Sequence, residues 1–409
     1  MKSGLLGRKL GHSYSPQIHA LMGKYSYALF EKEPEEVGDF VIHGDFTGIN
    51  VTIPYKKDVI PYLDELSPAA KKMASVNTIV RRPDGTLFGH NTDYFGFTSM
   101  VYRSGIDVKG KKVLVLGSGG TSNTAVKALV DLGADVWIIS RSGESNYENL
   151  HQHADAAVIV NTTPVGMYPK TGIAPVNLRD FPKLEGVLDV IYNPARTQLL
   201  LDAEYLGLPN ENGLWMLVAQ AKEAAEYFGG KPLDDSIIAS VHRKLSAQMQ
   251  NIILIGMPGC GKSTIATILS EKLGRRVADT DEMIVELAGK SIPEIFADDG
   301  EDAFRAWETQ SLEALGKQSS LVIATGGGCV TKQHNYPLLH QNGTIFWLKR
   351  DLDVLPTDGR PLSQTNRLAD MYQVRKPLYE AFADCVIDNN GSPEDTVCAI
   401  LKHLEGETC

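Results

Sequence analysis

Two glycine-rich segments have the composition to hold phosphates, and one of them carries its own cation. Gly256-Met257-Pro258-Gly259-Cys260-Gly261-Lys262-Ser263 fits GxxxxGK[ST] at every position. Glycines let successive backbone N–H groups turn toward one anion, a following helix N-terminus adds a favourable dipole, and the lysine neutralises charge on the terminal phosphates. Ser263 offers a hydroxyl to Mg2+. The apolar run Ile252 to Ile255 reads as a strand and Thr264 to Leu273 as a helix, which is the setting this loop requires. Gly256, Gly259, Cys260, Gly261, Lys262, Ser263 and Thr264 are therefore candidate nucleotide-binding residues.

The second segment, Gly117-Ser118-Gly119-Gly120-Thr121-Ser122, is a partial GxGxxG with Ser122 in the last glycine position. Lys112 to Leu116 before it reads as a buried parallel strand, Thr121 to Leu132 as a helix and Asp135 to Ile139 as the next strand. This βαβ setting predicts a dinucleotide site using Gly117, Gly119 and Gly120. The second strand ends in Ser140-Arg141-Ser142 instead of an acidic residue, a composition suited to a 2′-phosphate. It favours NADP(H), with NAD kept open by the single arginine and by nearby Glu144.

The elements that must position these loops divide the chain. At 409 residues it exceeds one compact core. Short strand-like runs (Gly48 to Ile53, Ser75 to Val80) alternate with helical stretches such as Pro16 to Met22 in the first hundred residues. A helical run, Met216 to Phe228, precedes the breaker Gly229-Gly230-Lys231-Pro232, and Ser236 reads as the N-cap of a helix reaching Met249. No Gly/Ser or Pro-rich linker follows, so the junction near Gln250 predicts a restrained pair of halves. Hydrophobic content of 43% and charged content of 22% are those of an ordinary globular protein. The net charge of −10 argues against a nucleic-acid partner. No apolar run suits a membrane span or a secretory leader, so a cytoplasmic protein is expected. The five cysteines all lie beyond residue 259 without metal-ligand spacing, and reduced thiols are expected.

Beyond the phosphate loop come Asp279-Thr280-Asp281, Phe296, Gly300-Glu301, Phe304-Arg305 and Leu321 to Thr325 with Gly326-Gly327-Gly328. Gly359-Arg360-Pro361-Leu362 and Arg375-Lys376-Pro377-Leu378-Tyr379 complete the series. Together they resemble shikimate kinase over essentially all of 251–409. Leu321 to Thr325 lacks a terminal Asp for the metal, and the resemblance implies that Asp279 supports Mg2+ beside Ser263. It implies that Asp281 binds and activates the shikimate hydroxyl, that Arg305 and Arg375 clamp the carboxylate, and that Gly327 and Gly328 line the same pocket. Arg360 would stabilise the transferring phosphoryl group of ATP from a mobile lid. The stretch from Arg350 to Arg360 is short for that lid, and no Arg stands in for the one the family often places over adenine.

In the first half, Gly11-His12-Ser13-Tyr14-Ser15-Pro16, Asn50-Val51-Thr52-Ile53-Pro54-Tyr55-Lys56, Ser75-Val76-Asn77-Thr78 and Asn91-Thr92-Asp93 occur in the order seen in shikimate dehydrogenase. Asn193-Pro194 and the run from Gly213 to Gln220 continue the resemblance, which spans about 4–228. Hydride transfer to a ketone leaves an oxyanion that an ammonium can both stabilise and protonate, a role that fits Lys56. The resemblance pairs Lys56 with Asp93. It implies that Ser13 and Ser15 bind the substrate carboxylate, that Thr52, Asn77 and Gln220 read its hydroxyls, and that Thr163 and Gly213 line the nicotinamide side. His12 and His19 receive no role.

The fold expected is α/β: an N-terminal α/β substrate domain (1–102), a Rossmann-like NADP domain (103–235), a returning helix and junction (236–250) and a P-loop kinase domain with a parallel sheet (251–409). The activities implied are NADPH-dependent reduction of 3-dehydroshikimate to shikimate, then ATP-dependent phosphorylation of the shikimate 3-hydroxyl. Two alternatives stay open: a quinate/shikimate dehydrogenase using NAD, and one half that is inactive and regulatory.

Overall fold

A computed structural model of the chain describes residues 2–11, 13–355 and 365–405, with side chains described outside 365–367. Two compact units form. One comprises Met1–Val165, Ile173–Tyr192 and Leu199–Leu245; the other comprises Gly166–Gly172, Asn193–Gln198 and Ser246–Cys409.

The first unit holds two sheets. β1 (Lys2–Gly7), β2 (Ser26–Glu31), β3 (Gly48–Val51), β4 (Glu65–Leu66), β5 (Thr78–Arg81) and β6 (Leu87–His90) lie in the order β2-β1-β3-β5-β6-β4. β1 pairs parallel with β2 and β3, whereas β5 runs antiparallel to β3 and β6. The expected strand from Ser75 begins later, at Thr78, because Ser75 to Asn77 spend their polar groups elsewhere. The Val76 N–H donates to the Lys56 carbonyl at 2.8 Å, and the Asn77 side chain turns to Thr92. The second sheet is wholly parallel: β7 (Lys112–Leu116), β8 (Asp135–Ile139), β9 (Val158–Asn161), β10 (Gly186–Asp189) and β11 (Asn210–Glu211), ordered β11-β10-β9-β7-β8. β9 and β10 are buried along their length and β7 from Val113 onward, which explains their near-continuous apolar sequences.

Helices Asp93–Ser104 and Leu214–Gly229 pack so closely that a Cβ on Gly96 would lie 2.7 Å from the Met216 carbonyl and 3.0 Å from the Gln220 Cβ. This glycine sets the separation between the helix that begins at Asp93 and the helix that carries Gln220.

The second unit is built on one parallel sheet. β12 (Asn251–Ile255), β13 (Val277–Asp279), β14 (Val322–Ala324), β15 (Gly343–Lys349) and β16 (Cys385–Asp388) take the order β13-β14-β12-β15-β16. β12 lies at the centre, wholly buried, and delivers its C-terminal end to the Gly256–Lys262 turn. Helix Lys262–Leu273 follows. The helix starting at Ser236 runs unbroken to Met249, within the bounds read from sequence. Cys260, Cys329 and Cys398 are free thiols, but Cys385 is disulfide-bonded, which corrects the expectation of uniformly reduced cysteines. Among the described residues no helix is long and apolar enough to cross a membrane.

Overpacking of this kind costs about 1–3 kcal/mol. Gly96→Ala is therefore expected to lower the unfolding free energy of the first unit by that amount, seen as a lower urea midpoint at an unchanged m-value, and to weaken substrate binding by displacing Gln220. A midpoint equal to wild type overturns the packing account.

Candidate functional site

In the first unit the polar residues singled out in the sequence meet beyond the ends of β3 and β6. Lys56 lies in the turn after β3, where the Tyr55 N–H donates to the Thr52 carbonyl at 3.0 Å. Lys56 Nζ donates to Asp93 Oδ2 at 2.6 Å, both side chains being largely but not wholly buried. Asp93 is the first residue of its helix, where a carboxylate is favoured by the dipole. The Asn77 amide clamps the same turn: its Oδ1 accepts from the Thr92 N–H at 2.8 Å and its Nδ2 donates to Thr92 Oγ1 at 3.0 Å. Thr92 Oγ1 in turn donates to Gln220 Oε1 at 3.2 Å.

Ser13 and Ser15 join through a separate run of bonds. Ser13 Oγ accepts from the Ser15 N–H at 3.2 Å, and Ser15 bonds the Tyr27 hydroxyl. Tyr27 donates to Asn50 Oδ1 at 2.7 Å, and Asn50 Nδ2 donates to the Asn77 carbonyl at 3.3 Å. Tyr27 and Asn50 close the network, and neither was singled out as a site residue in the sequence. His19 stacks on Tyr27 with ring centroids 4.1 Å apart and contacts the Tyr25 hydroxyl at 2.5 Å through Nδ1. Burial drives its pKa down to about 3, so it is a neutral packing residue.

The dinucleotide loop leaves β7 through Gly117, whose φ of +112° favours glycine. A Cβ there would also meet Thr162 Oγ1 at 2.9 Å and Thr163 Cγ2 at 3.1 Å, so the structure brings Thr163 against the loop. Gly119 and Gly120 are exposed, with open space where their Cβ atoms would stand. Ser122, the departure from GxGxxG, donates its hydroxyl to the Gly117 carbonyl at 2.7 Å and so ties the turn shut. Ser140 is half-buried while Arg141 and Ser142 are exposed, and among the described residues Arg141 has no ion-pair partner. Gly213 is buried, its Cβ position 1.9 Å from the Val190 carbonyl, so packing requires glycine there.

In the second unit a cavity of about 500 Å3 gathers Lys262, Asp281, Arg305, Glu308, Arg375 and the three glycines Gly326 to Gly328. Gly256, Gly259 and Gly261 have φ of +146°, +84° and +99°, the alternation that turns N–H groups inward. Lys262 Nζ rests on the carbonyls of Gly256 at 2.9 Å and Met257 at 3.0 Å. Cys260 is buried and its carbonyl accepts from Asn389 Nδ2 at 2.5 Å. Ser263 Oγ donates to Asp279 Oδ2 at 3.2 Å, and Asp279 Oδ1 accepts from the Asp281 N–H at 2.9 Å as the cap of helix Thr280–Ala288. Thr264 lines the cavity beside Ser263.

Arg305 Nη1 donates to Glu308 Oε2 at 2.9 Å, and a Cβ on Gly328 would strike that guanidinium. Arg375 Nη1 and the Tyr379 hydroxyl both donate to the Gly327 carbonyl, at 3.0 and 2.5 Å. Glu308 was not foreseen, although its place three residues after Arg305 on helix Gly300–Gly316 was a usable signal. Burial raises its carboxyl pKa, against the opposing Arg305 charge. Arg360 lies outside the described residues.

Residues 5–79 match the shikimate dehydrogenase substrate binding domain. A shikimate dehydrogenase (NADP(+)) of Clostridium perfringens is 36% identical over 267 residues, covering 60% of this chain and 98% of that protein. The chain belongs to the shikimate dehydrogenase family. It also carries a shikimate kinase domain, matched over residues 258–405. Among solved structures, a chorismate mutase/shikimate 5-dehydrogenase fusion protein from Clostridium acetobutylicum is 37% identical with a TM-score of 0.56, covering 60% of this chain and 96% of that one. A quinate dehydrogenase from Corynebacterium glutamicum, solved with NAD, is 27% identical with a TM-score of 0.55, over 60% of this chain and 98% of that one. The expected α/β architecture, Rossmann-like sheet and P-loop sheet hold.

The residues present fit the cofactors that these families imply. Open glycines at 119 and 120 leave room for a pyrophosphate at the N-terminus of helix Gly120–Asp131. The unpaired Arg141 suits a 2′-phosphate. Ser263 and Asp279 present a hydroxyl and a carboxylate 3.2 Å apart, hard oxygen donors of the type Mg2+ takes alongside phosphate and water.

Burial also fixes a pH dependence. His19 and His242 have pKa values lowered to about 3 and about 4, chiefly by desolvation, against ~6.5 when unfolded. The unfolded chain then binds more protons between those values, so this stability is complete above about pH 6.5 and is lost as pH falls toward 4. The unfolding free energies of wild type and His19→Gln are expected to converge by up to about 1.4 kcal/mol per pH unit below pH 6. Urea titrations from pH 7.5 to 4.5 check this, and a constant difference refutes it.

Proposed function

We propose that the first unit reduces 3-dehydroshikimate to shikimate with NADPH and that the kinase domain transfers the γ-phosphoryl group of ATP to the 3-hydroxyl so formed. The observation that carries the first half is the 2.6 Å contact between Lys56 Nζ and Asp93 Oδ2. Asp93 orients the ammonium and accepts a substrate hydroxyl. Lys56 holds a proton within reach of the developing alkoxide, stabilising its charge and releasing the proton to oxygen as the C–O bond becomes single. The bound nicotinamide supplies the hydride. Ser13 and Ser15 receive the substrate carboxylate, and Thr52, Asn77 and Gln220 sort its hydroxyls.

In the kinase domain Arg305 and Arg375 take the shikimate carboxylate as guanidinium forks. Glu308 holds Arg305 in place from below, and backbone groups of Gly327 and Gly328 line the ring. Asp281 orients the attacking hydroxyl and accepts its proton. Lys262 moves from its carbonyl partners to the phosphate chain, and Arg360 supplies charge to the transferring group. Ser263 and Asp279 would hold Mg2+, which would supply positive charge to screen the phosphates. We place the dehydrogenase substrate domain at 1–102, the dinucleotide domain at 103–235, the junction at 236–250 and the kinase domain at 251–409. Both reactions draw on NADPH and ATP, pools of the cytoplasm, where we place the enzyme.

A one-pot assay with 3-dehydroshikimate, NADPH, ATP and Mg2+, followed by mass, tests the scheme. Shikimate 3-phosphate is expected, with shikimate accumulating when ATP is withheld. Lys56→Ala is expected to lower dehydrogenase kcat by about 10²–10⁴-fold while leaving shikimate phosphorylation intact. Lys262→Ala should do the reverse. Either variant retaining its own activity removes that residue from the mechanism. A preference for quinate and NAD over 3-dehydroshikimate and NADPH would replace the first assignment with that of the quinate dehydrogenase neighbour.

A further inference from the structure

The P-loop has a second cation beside it that the kinase scheme above does not use. Arg350 follows β15 directly, and β15 is the strand paired with β12, which feeds the loop. A Cβ built on Gly261 would lie 3.7 Å from Arg350 Nη1 and 3.4 Å from Asn389 Nδ2, so this guanidinium sits against the last glycine before Lys262. Its backbone is held on both sides. The Asn389 N–H donates to the Lys349 carbonyl at 2.8 Å, and the Asp351 N–H donates to Asn390 Oδ1 at 2.9 Å. Asn389 is itself fixed, donating from Nδ2 to the Cys260 carbonyl and accepting from Thr396 Oγ1 at 2.6 Å.

Among the described residues the side chain so positioned has no partner. Arg350 Nε is buried without an acceptor, and among the described residues the guanidinium makes no hydrogen bond or ion pair, although Asp351 and Asp353 are close in sequence. A buried donor left unpaired carries an uncompensated desolvation cost, larger when the group is charged. Lys262, the residue after Gly261, shows the contrasting arrangement, since its ammonium rests on two loop carbonyls. Arg350 therefore adds uncompensated positive charge at the rim of a turn whose own N–H groups already point at an anion. A ligand bearing negative charge at that rim satisfies both.

We propose that Arg350 is a nucleotide-binding residue of the kinase domain, donating to the phosphate chain of ATP where the chain leaves the P-loop. The assignment rests on the kinase reading. It also answers a gap in the sequence, because the segment from Arg350 to Arg360 is short and offers no other arginine before Arg360. The anchoring arginine on the nucleotide side is then at the root of that segment and not within it.

The test measures binding of ADP and of inorganic tripolyphosphate to the full chain by calorimetry, in wild type, Arg350→Met and Arg350→Lys, with KM for ATP and for shikimate beside them. Loss of a charged hydrogen bond predicts a fall in affinity for both ligands of about tenfold or more in Arg350→Met. KM for ATP rises by a similar factor, while KM for shikimate and dehydrogenase turnover stay within twofold of wild type. Arg350→Lys recovers part of the loss, since a point charge serves a phosphate. Unchanged ADP affinity in Arg350→Met overturns the proposal, as does a loss confined to ADP with tripolyphosphate binding intact. A parallel rise in both KM values with a lowered melting temperature assigns Arg350 to structure and overturns it too. Wild type that binds ADP yet phosphorylates an acceptor other than shikimate sinks the kinase reading and leaves the arginine assignment standing.

Discussion

A wholly buried parallel strand can open onto a ligand only where its backbone turns sharply, and here that turn is made by glycine at the same place in two separate sheets. Gly117 follows β7 and Gly256 follows β12, both with φ in the region closed to most L-residues. Space forbids a side chain as firmly as conformation does. A Cβ at Gly117 would meet Thr162, and one at Gly256 would lie 2.7 Å from the Leu348 carbonyl on the neighbouring strand. Everything downstream follows from these two turns. Each helix starts with its unpaired N–H groups at the carboxyl end of its sheet, which is where charged ligands of open α/β sheets gather.

The substrate side of the first unit solves a different problem. Its polar side chains lie on turns and loops, where they have more freedom than on strands, and the structure removes that freedom by bonding them to each other. Asn77 grips Thr92 at both the backbone and the hydroxyl, Thr92 reaches Gln220, and Asn50 joins that group to Tyr27 and Ser15. Buried networks of this kind are strong when complete and costly when one member is missing. Lys56 and Asp93 satisfy each other and remain partly open, so this pair is a part of the site that a ligand can reach.

Much of this was legible in the residues. The strands Lys112–Leu116 and Asp135–Ile139 fall where apolar runs place them, and the helix read from an N-cap at Ser236 ends at Met249 as expected but takes Ser236 into its first turn. Loop chemistry read equally well, because GxxxxGK[ST] constrains backbone and charge together. What stayed hidden was whatever depends on partners distant in the chain. Nothing near Ser122 says that its hydroxyl closes onto Gly117, and nothing near Asn50 names Tyr27. Glu308 looked like one more acidic residue on a charged helix until burial set it under Arg305. The strand expected from Ser75 began three residues later because those residues were spent on long-range bonds that periodicity cannot register.

The resting position of Lys262 has a consequence for the order of events in the kinase cavity. Its ammonium is occupied by two carbonyls of its own loop, in a cavity that also contains two arginines suited to a carboxylate. Two loop carbonyls therefore compete with any anion for the same ammonium. A stray acid drawn into the cavity meets a lysine already engaged, and only a phosphate chain able to replace both carbonyls at once draws it out. Anion affinity at this loop is then a difference between two bonded states of one buried side chain, so the loop trades tightness for discrimination between anions.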